Sequence, residues 1–159
     1  MTDLRKLCMT LYGVFGLSAV LQFVEATILL GLLALTIAYI LTKCKYEAAR
    51  DTPYASHLRW MLRTFWIGTG VIVPVAVLIA TALILMLTNI ADVVTAMSGD
   101  DPTAIMSSVQ AYMTQNLTKI SLITAVTMVP TILWWVRRCW IGFALARDEK
   151  PVTNVTSWL

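Results

Sequence analysis

The chain has 159 residues, of which 58% are hydrophobic and 13% are charged, and its mean hydropathy is +0.76. A soluble domain of this size lacks the polar surface to cover so many apolar side chains, so the composition predicts a membrane protein. The net charge is only +3, and most basic residues stand beside apolar runs. This favours the lipid bilayer, including anionic phospholipid, over nucleic acid as the partner of the basic residues.

The first apolar block, residues 7–42, contains no lysine or arginine and is too long for one membrane crossing. A helix of this length would extend roughly 54 Å, against roughly 30 Å of hydrocarbon. The half from Ala26 to Thr42 ends at Lys43 and Lys45 and predicts one span. The half before it returns through the bilayer, enters it as a half-span or re-entrant segment, or packs on a partner. We expect four embedded helices in an all-α bundle, with three spans as the alternative.

The second apolar block runs from Trp60 to about Ile90 and follows a basic loop, residues 43–59. Pro74 lies inside this block and is expected to kink the helix, because proline removes a backbone donor and crowds the preceding turn. The block therefore predicts a kinked span that begins on the basic side.

The last span is predicted from about Ile120 to Phe143 and ends among tryptophans and arginines. Lysine and arginine are retained on cytoplasmic flanks, and tryptophan rings lie at headgroup level. We therefore expect a multi-pass protein of the bacterial inner membrane with a cytoplasmic C-terminus and, given two basic residues near its start, a cytoplasmic N-terminus. Residues 144–159 are then a cytoplasmic tail of a single membrane domain that covers residues 1–159.

Residues 91–118, between the last two spans, contain three aspartates and no lysine or arginine, as expected of a translocated periplasmic loop. Asp101 can cap a helix that has Pro102 at its first position. Helical spacing then gives one face with four candidate partner contacts: Ile105, Val109, Tyr112 and Met113. We predict a short amphipathic periplasmic helix, which either covers the membrane interface or its own bundle, or contacts another subunit.

Basic and aromatic residues at the cytoplasmic ends of the spans form a second group of candidates. We predict that they anchor the chain at headgroup level, where long basic side chains snorkel to the surface. The predicted anchors are Arg59, Arg63, Trp66, Trp134, Trp135, Arg137 and Arg138. The alternative is a pocket for an anionic lipid headgroup between Arg63 and Arg137, which lie at similar predicted depth.

The sequence contains few residues of the kinds that catalysis requires. His57 is the only histidine, so no histidine pair can bind a metal or relay a proton, and we expect it to be a polar residue at the interface. The sequence also lacks a nucleophile elbow, a phosphate loop and a zinc-protease motif. We therefore predict that the protein is not an enzyme and uses no cofactor or metal.

Two segments carry a family resemblance. Ser56-His57 with the run from Arg63 to Gly68, R-T-F-W-I-G, resembles the signature of a group of small, uncharacterised inner-membrane proteins of Gram-negative bacteria. The second segment is similar to the same group, and its residues are Trp134, Trp135, Val136, Arg137, Arg138, Cys139, Gly142, Leu145, Pro151, Trp158 and Leu159. The resemblance covers roughly residues 30–90 and 125–159. It implies no substrate, cofactor or catalytic residue, and it makes residues 91–118 an insertion specific to this chain.

These features predict a non-enzymatic accessory or assembly subunit of a membrane complex, in contact with other membrane subunits or with further copies of itself. The alternative is a small homo-oligomeric channel or transporter, which needs polar groups that face a wet path. The candidates for such a path are Gln22, Glu25, Arg63, Asn89 and Asp92.

Overall fold

A computed structural model describes residues 2–22, 25–98 and 101–156, in which all regular secondary structure is helical. The helices are α1 (Thr2–Leu21), α2 (Ile28–Ala48), α3 (Tyr54–Ile67), α4 (Val73–Leu87), α5 (Ala91–Met97) and α6 (Pro102–Arg147). A 3-10 turn (Glu25–Thr27) precedes α2, and a π-helical turn (Gly68–Ile72) joins α3 to α4. The prediction of an all-α bundle is confirmed.

Four helical stretches of the described chain are long and apolar enough to cross a membrane: Asp3–Leu21, Ile28–Ala48, Tyr54–Leu87 and Pro102–Arg147. The four embedded helices predicted from the sequence are therefore confirmed by length and composition. The chain is a multi-pass membrane protein on this criterion.

The first apolar block forms a helical hairpin, because α1 folds back along α2. Gly31 of α2 lies against the Ser18 carbonyl and the Gln22 side chain of α1, where a methyl group would meet them at 3.1 Å. The Thr27 hydroxyl donates to the Leu21 carbonyl at 2.7 Å and ties the 3-10 turn to the end of α1. Residues 23–24, between the two halves of this block, lie outside the described residues.

The contacts group the chain into two compact units, Met1–Ile72 with Thr131–Leu159, and Val73–Pro130. The first unit contains α1, α2, α3 and the last part of α6. Its core includes a stripe of α1 at helical spacing and facing residues from the other helices: Cys8, Leu11, Tyr12, Phe15, Leu35, Ala38, Leu58, Trp60, Met61, Trp135, Cys139 and Ala146. In the second unit, the buried residues include Ala76 and Ala80 on α4 and Ile123 on α6. The single membrane domain predicted for residues 1–159 stays a prediction.

The second span begins six residues earlier than predicted, at Tyr54 instead of Trp60, and its irregularity precedes Pro74. Proline lacks a donor and its ring crowds the carbonyl four residues before it, which here belongs to Gly70. The π-helical turn at Gly68–Ile72 surrounds that carbonyl. The wider turn is a physical response to proline within an otherwise continuous apolar helix.

The start of α6 agrees with the prediction, but its length does not. The Asp101 carboxylate accepts hydrogen bonds from the Thr103 backbone at 2.9 Å and from the Thr103 hydroxyl at 2.7 Å, and the hydroxyl bond lowers the pKa of Asp101. The helix then continues for 46 residues to Arg147. The predicted short, separate helix is wrong, because no glycine lies between Pro102 and Gly142 and only Pro130 interrupts the pattern.

The structure also changes the prediction of a periplasmic loop for residues 91–118. Residues 91–118 are mostly helical, since they contain α5 and the beginning of α6. Gly99 and Asp100, between α5 and α6, lie outside the described residues.

A matched pair of glycine substitutions tests the close contact between α6 and the π-helical turn. A methyl group at Gly68 would overlap the Trp135 ring, whereas at Gly70, two residues away, it would meet nothing within 4 Å. We expect Gly68→Ala to destabilise the protein in detergent by about 1–3 kcal/mol, because the ring has to move, and Gly70→Ala to be near neutral. Thermal unfolding followed by tryptophan fluorescence measures both. Equal midpoints for the two variants would contradict this packing.

Candidate functional site

A buried arginine joins α3 to α6 in the first unit. The Arg138 side chain is fully buried, and its Cζ lies 3.7 Å from the centroid of the Trp60 ring and 5.2 Å from that of Trp134. Its Nε donates to the Thr64 hydroxyl at 3.1 Å. A guanidinium over an aromatic face is attracted by the electrons of the ring, most strongly where water is excluded.

The α3 residues that receive Arg138 are themselves held in place. Trp60 and Thr64 lie one helical turn apart, and the Thr64 hydroxyl donates to the Trp60 carbonyl at 2.8 Å. The Trp60 indole donates in turn to the Arg138 carbonyl at 3.3 Å. The prediction that Arg138 snorkels to the surface is therefore wrong, because α3 offers it a ring and a hydroxyl on the inside of the bundle.

Trp135 is also part of the core and not an interface anchor as predicted. Its side chain is buried, and its indole donates to the Phe15 carbonyl of α1 at 3.1 Å. The ring occupies the space that Gly68 leaves open on the π-helical turn. The position of Trp135 is thus explained by its packing against Phe15 and Gly68, which the sequence pattern does not reveal.

The other predicted anchors differ in exposure. Trp66 is 61% exposed, Arg59 and Arg137 are exposed, and Arg63 and Trp134 are half-buried. Their role as anchors stays a prediction. The arginine that reaches the residue next to Arg63 is Arg138, not Arg137 as the predicted lipid pocket requires.

His57 lies in a buried junction of three segments, although the sequence predicts an interfacial position. Its Nε2 lies 2.9 Å from the Lys150 carbonyl, and its Nδ1 lies 3.2 Å from the Tyr12 hydroxyl. A carbonyl oxygen can only accept, so Nε2 donates and the neutral ring accepts from Tyr12 at Nδ1. Tyr12 and Lys150 are 45 and 93 residues away in sequence, so no local pattern could identify them.

Residues 148–156, called here the C-terminal segment, belong to the first unit and pack on its helices. Arg5 forms an ion pair with Glu149 at 3.0 Å and donates to the Arg147 carbonyl at 2.6 Å. The Val152 amide donates to the Ser56 hydroxyl at 3.0 Å, and the Val152 side chain is buried. The region predicted as a tail is therefore helical up to Arg147 and then follows the beginnings of α1 and α3. Trp158 and Leu159 lie outside the described residues.

In the second unit, α4 and α6 meet near the end of α4. The Tyr112 hydroxyl lies 2.6 Å from the Thr88 hydroxyl, and Lys119 Nζ donates to the Leu87 carbonyl at 3.4 Å. Tyr112 thus turns toward α4 instead of contributing to the predicted partner face. A cavity of about 380 Å³ lies beside it, with Asn89, Ser108 and Gln115 among the lining residues.

The other residues of the predicted partner face belong to an exposed apolar row. Val109 and Met113 are exposed, and Ile105 is half-buried. Two residues that the prediction omitted extend the row at helical spacing: Met106 is 69% exposed and Leu117 is 58% exposed. We call Met106, Val109, Met113 and Leu117 the α6 stripe.

Two of the candidate channel residues, Gln22 and Asn89, make local contacts. Gln22 donates to the Ser18 carbonyl of its own helix at 3.2 Å, and Asn89 accepts from the Ala91 amide at 3.0 Å at the start of α5. The side chains of Glu25 and Asp92 lie outside the described residues. These contacts assign Gln22 and Asn89 to helix ends.

Comparisons of the chain with family models, with curated proteins and with solved structures found no match. The residues that carry the family resemblance and that the structure describes all lie in the first unit. They include His57, Gly68, Trp135 and Arg138, each of which makes one of the buried contacts described above. Membership of that family stays a prediction.

Adjacent arginines provide a test of the buried cation. We expect Arg138→Ala to destabilise the protein by about 2–4 kcal/mol, because it removes the cation–π contact and leaves a void. Arg137→Ala removes an exposed charge from the neighbouring residue and should change stability by less than about 0.5 kcal/mol. Chemical unfolding of both variants in the same detergent gives the comparison. A similar loss in both would show that position 138 is not a buried contact.

Proposed function

We propose that this protein is a non-enzymatic accessory or assembly subunit of a bacterial inner-membrane complex, and that the α6 stripe is its contact surface. The observation that carries the proposal is the exposure of this apolar row on a helix longer than one span. α6 has 46 residues, which is more than twice the number that a membrane crossing needs, about 20 residues.

Two basic residues mark the part of α6 that we assign to the bilayer. Lys119 and Arg137 flank residues 120–136, a stretch of seventeen residues without charge. Its length is close to that of a typical span, about 20 residues. Lys119 also donates to the carbonyl of Leu87, the last residue of α4. An ammonium group at the end of α4 supports a boundary with water there. The α6 stripe precedes Lys119 and so belongs outside the hydrocarbon.

The composition of the α6 stripe suits protein contact. Methionine side chains are flexible and polarisable and adapt to irregular partner surfaces, and two of the four residues are methionines. The neighbouring residues of the same helix are polar, among them Ser107, Gln110 and Thr114. An apolar row with polar borders outside the hydrocarbon is typical of an interaction surface.

We further propose that both termini are cytoplasmic. The first turn of α1 and the end of α6 lie together, since Arg5 contacts Arg147 and Glu149. Arginine and lysine on the same side as Arg137 support a cytoplasmic assignment by the positive-inside rule. The α4–α6 connection is then periplasmic.

Crosslinking and mass measurement test the accessory role. A photoreactive residue at Met106 should crosslink to one protein in cells, whereas Ala104, two residues and roughly 200° away on the helix, should not. The complex purified in mild detergent should keep a stoichiometric second subunit or second copy. Met106→Glu with Met113→Glu should release it, and Ala104→Glu should not. A monomeric wild-type protein, or crosslinks to lipid alone, would exclude the proposal and favour a helix that lies on the membrane surface.

Cysteine labelling tests the orientation separately. In a variant without its other cysteines, Ser98→Cys should react with a membrane-impermeant maleimide in intact cells, because it belongs to the periplasmic connection. Native Cys44, which is exposed in the structure, should react only after the membrane is opened. Labelling of Thr2→Cys from outside would contradict a cytoplasmic N-terminus.

A further inference from the structure

A second cavity, of about 360 Å³, lies in the first unit where the connection from α2 to α3 meets the C-terminal segment. Arg50 and Arg59 line it from the α2–α3 side. Pro151 and Val155 of the C-terminal segment also line it. The lining therefore combines two arginines with apolar residues of the C-terminal segment.

The charge in this cavity is positive. Arg50 and Arg59 are the only ionisable residues with a formal charge at neutral pH among the described residues that line it. Arg50 lies 3.8 Å from Glu47, but both side chains are about three-quarters exposed. A pair of this length and exposure contributes little and leaves the guanidinium able to bind another anion.

The rest of the wall is fixed by internal hydrogen bonds. The Thr52 hydroxyl donates to the Ala49 carbonyl at 2.7 Å, and the Ser56 hydroxyl donates to the Pro53 carbonyl at the same distance. Ser56 also accepts from the Val152 amide, which holds the C-terminal segment in place. The backbone segments that line the cavity beside the two arginines are therefore held in place without a ligand.

We propose that this cavity binds a phosphate group, carried either by an anionic phospholipid headgroup or by a small soluble phosphate. Guanidinium groups match phosphate oxygens with two parallel hydrogen bonds, and the Tyr46 side chain at the cavity adds a phenolic donor. The volume is within the range of small-ligand sites. Arg59 is one of the predicted headgroup anchors, whereas Arg63 and Arg137, the pair of the predicted lipid pocket, are not among the residues that line this cavity.

The same geometry couples the phosphate to the C-terminal segment. Pro151 and Val155 contribute to the cavity, while Lys150 and Val152 carry the backbone hydrogen bonds to His57 and Ser56. A ligand in the cavity contacts the wall that these bonds hold. Its binding therefore slows opening of the segment and protects the Val152 amide from exchange.

The test uses the full chain in detergent and two sources of phosphate. Native mass spectrometry measures retention of phosphatidylglycerol against phosphatidylcholine, and ³¹P NMR measures binding of glycerol phosphate. We expect Arg50→Gln with Arg59→Gln to weaken binding by about tenfold or more, since each arginine makes charged hydrogen bonds. Lys6→Gln removes an exposed charge that does not line this cavity and should change binding less than about twofold.

Hydrogen exchange gives a second measurement. Protection of the Val152 amide should rise with ligand in the wild type and not in the double variant. Binding of phosphatidylglycerol alone identifies a lipid site, and binding of glycerol phosphate with similar affinity identifies a soluble ligand. The proposal is overturned if neither source binds, if the double variant binds like the wild type, or if Lys6→Gln loses as much. Unchanged thermal midpoints establish that the variants are folded, as expected for exposed side chains.

Discussion

The first unit depends on the accommodation of one positive charge inside a helical bundle. Burying an arginine is costly unless its surroundings replace the water that it loses. Around Arg138, the Trp60 ring at 3.7 Å and the Thr64 hydroxyl at 3.1 Å replace contacts with water. Both partners lie on one face of α3, so a shift of α6 by one turn would take the guanidinium away from them. We therefore expect this buried charge to favour one arrangement of the two helices.

Close approach of small residues and aromatic rings supports this arrangement. Gly142 lies directly against the Tyr12 ring, and Gly68 lies against the Trp135 ring. Apolar surfaces in lipid have no hydrophobic reason to associate, so helices hold together through tight packing and hydrogen bonds. Each of these aromatic side chains also donates a hydrogen bond across the bundle: the Tyr12 hydroxyl to Nδ1 of His57, and the Trp135 indole to the Phe15 carbonyl. Packing and polar contacts thus come from the same side chains.

The spans could be predicted from the sequence because lipid imposes a length and a composition on each of them. The start of α6 was also predictable, since Asp101 and Pro102 have local roles. The sequence could not predict that Arg138 is buried and Arg137 is exposed, because adjacent helical positions are equivalent until the neighbouring helix is known. His57 and Trp135 were misassigned for the same reason: their partners are distant in sequence. Two residues of the α6 stripe, Val109 and Met113, were predicted as a partner face, whereas Tyr112 of that face contacts the hydroxyl of Thr88, the residue after α4.

The discontinuity of the first unit has a consequence for the order of biogenesis. Residues 1–72 leave the ribosome before residues 131–159, which complete the same unit. During synthesis of the intervening residues, Trp60, Thr64 and the face of α1 around Tyr12 lack the helix that covers them. The nascent bundle therefore stays open on one side until the last span is inserted. Chaperones or lipids that shield that side during this interval would act on a surface that the finished protein no longer presents.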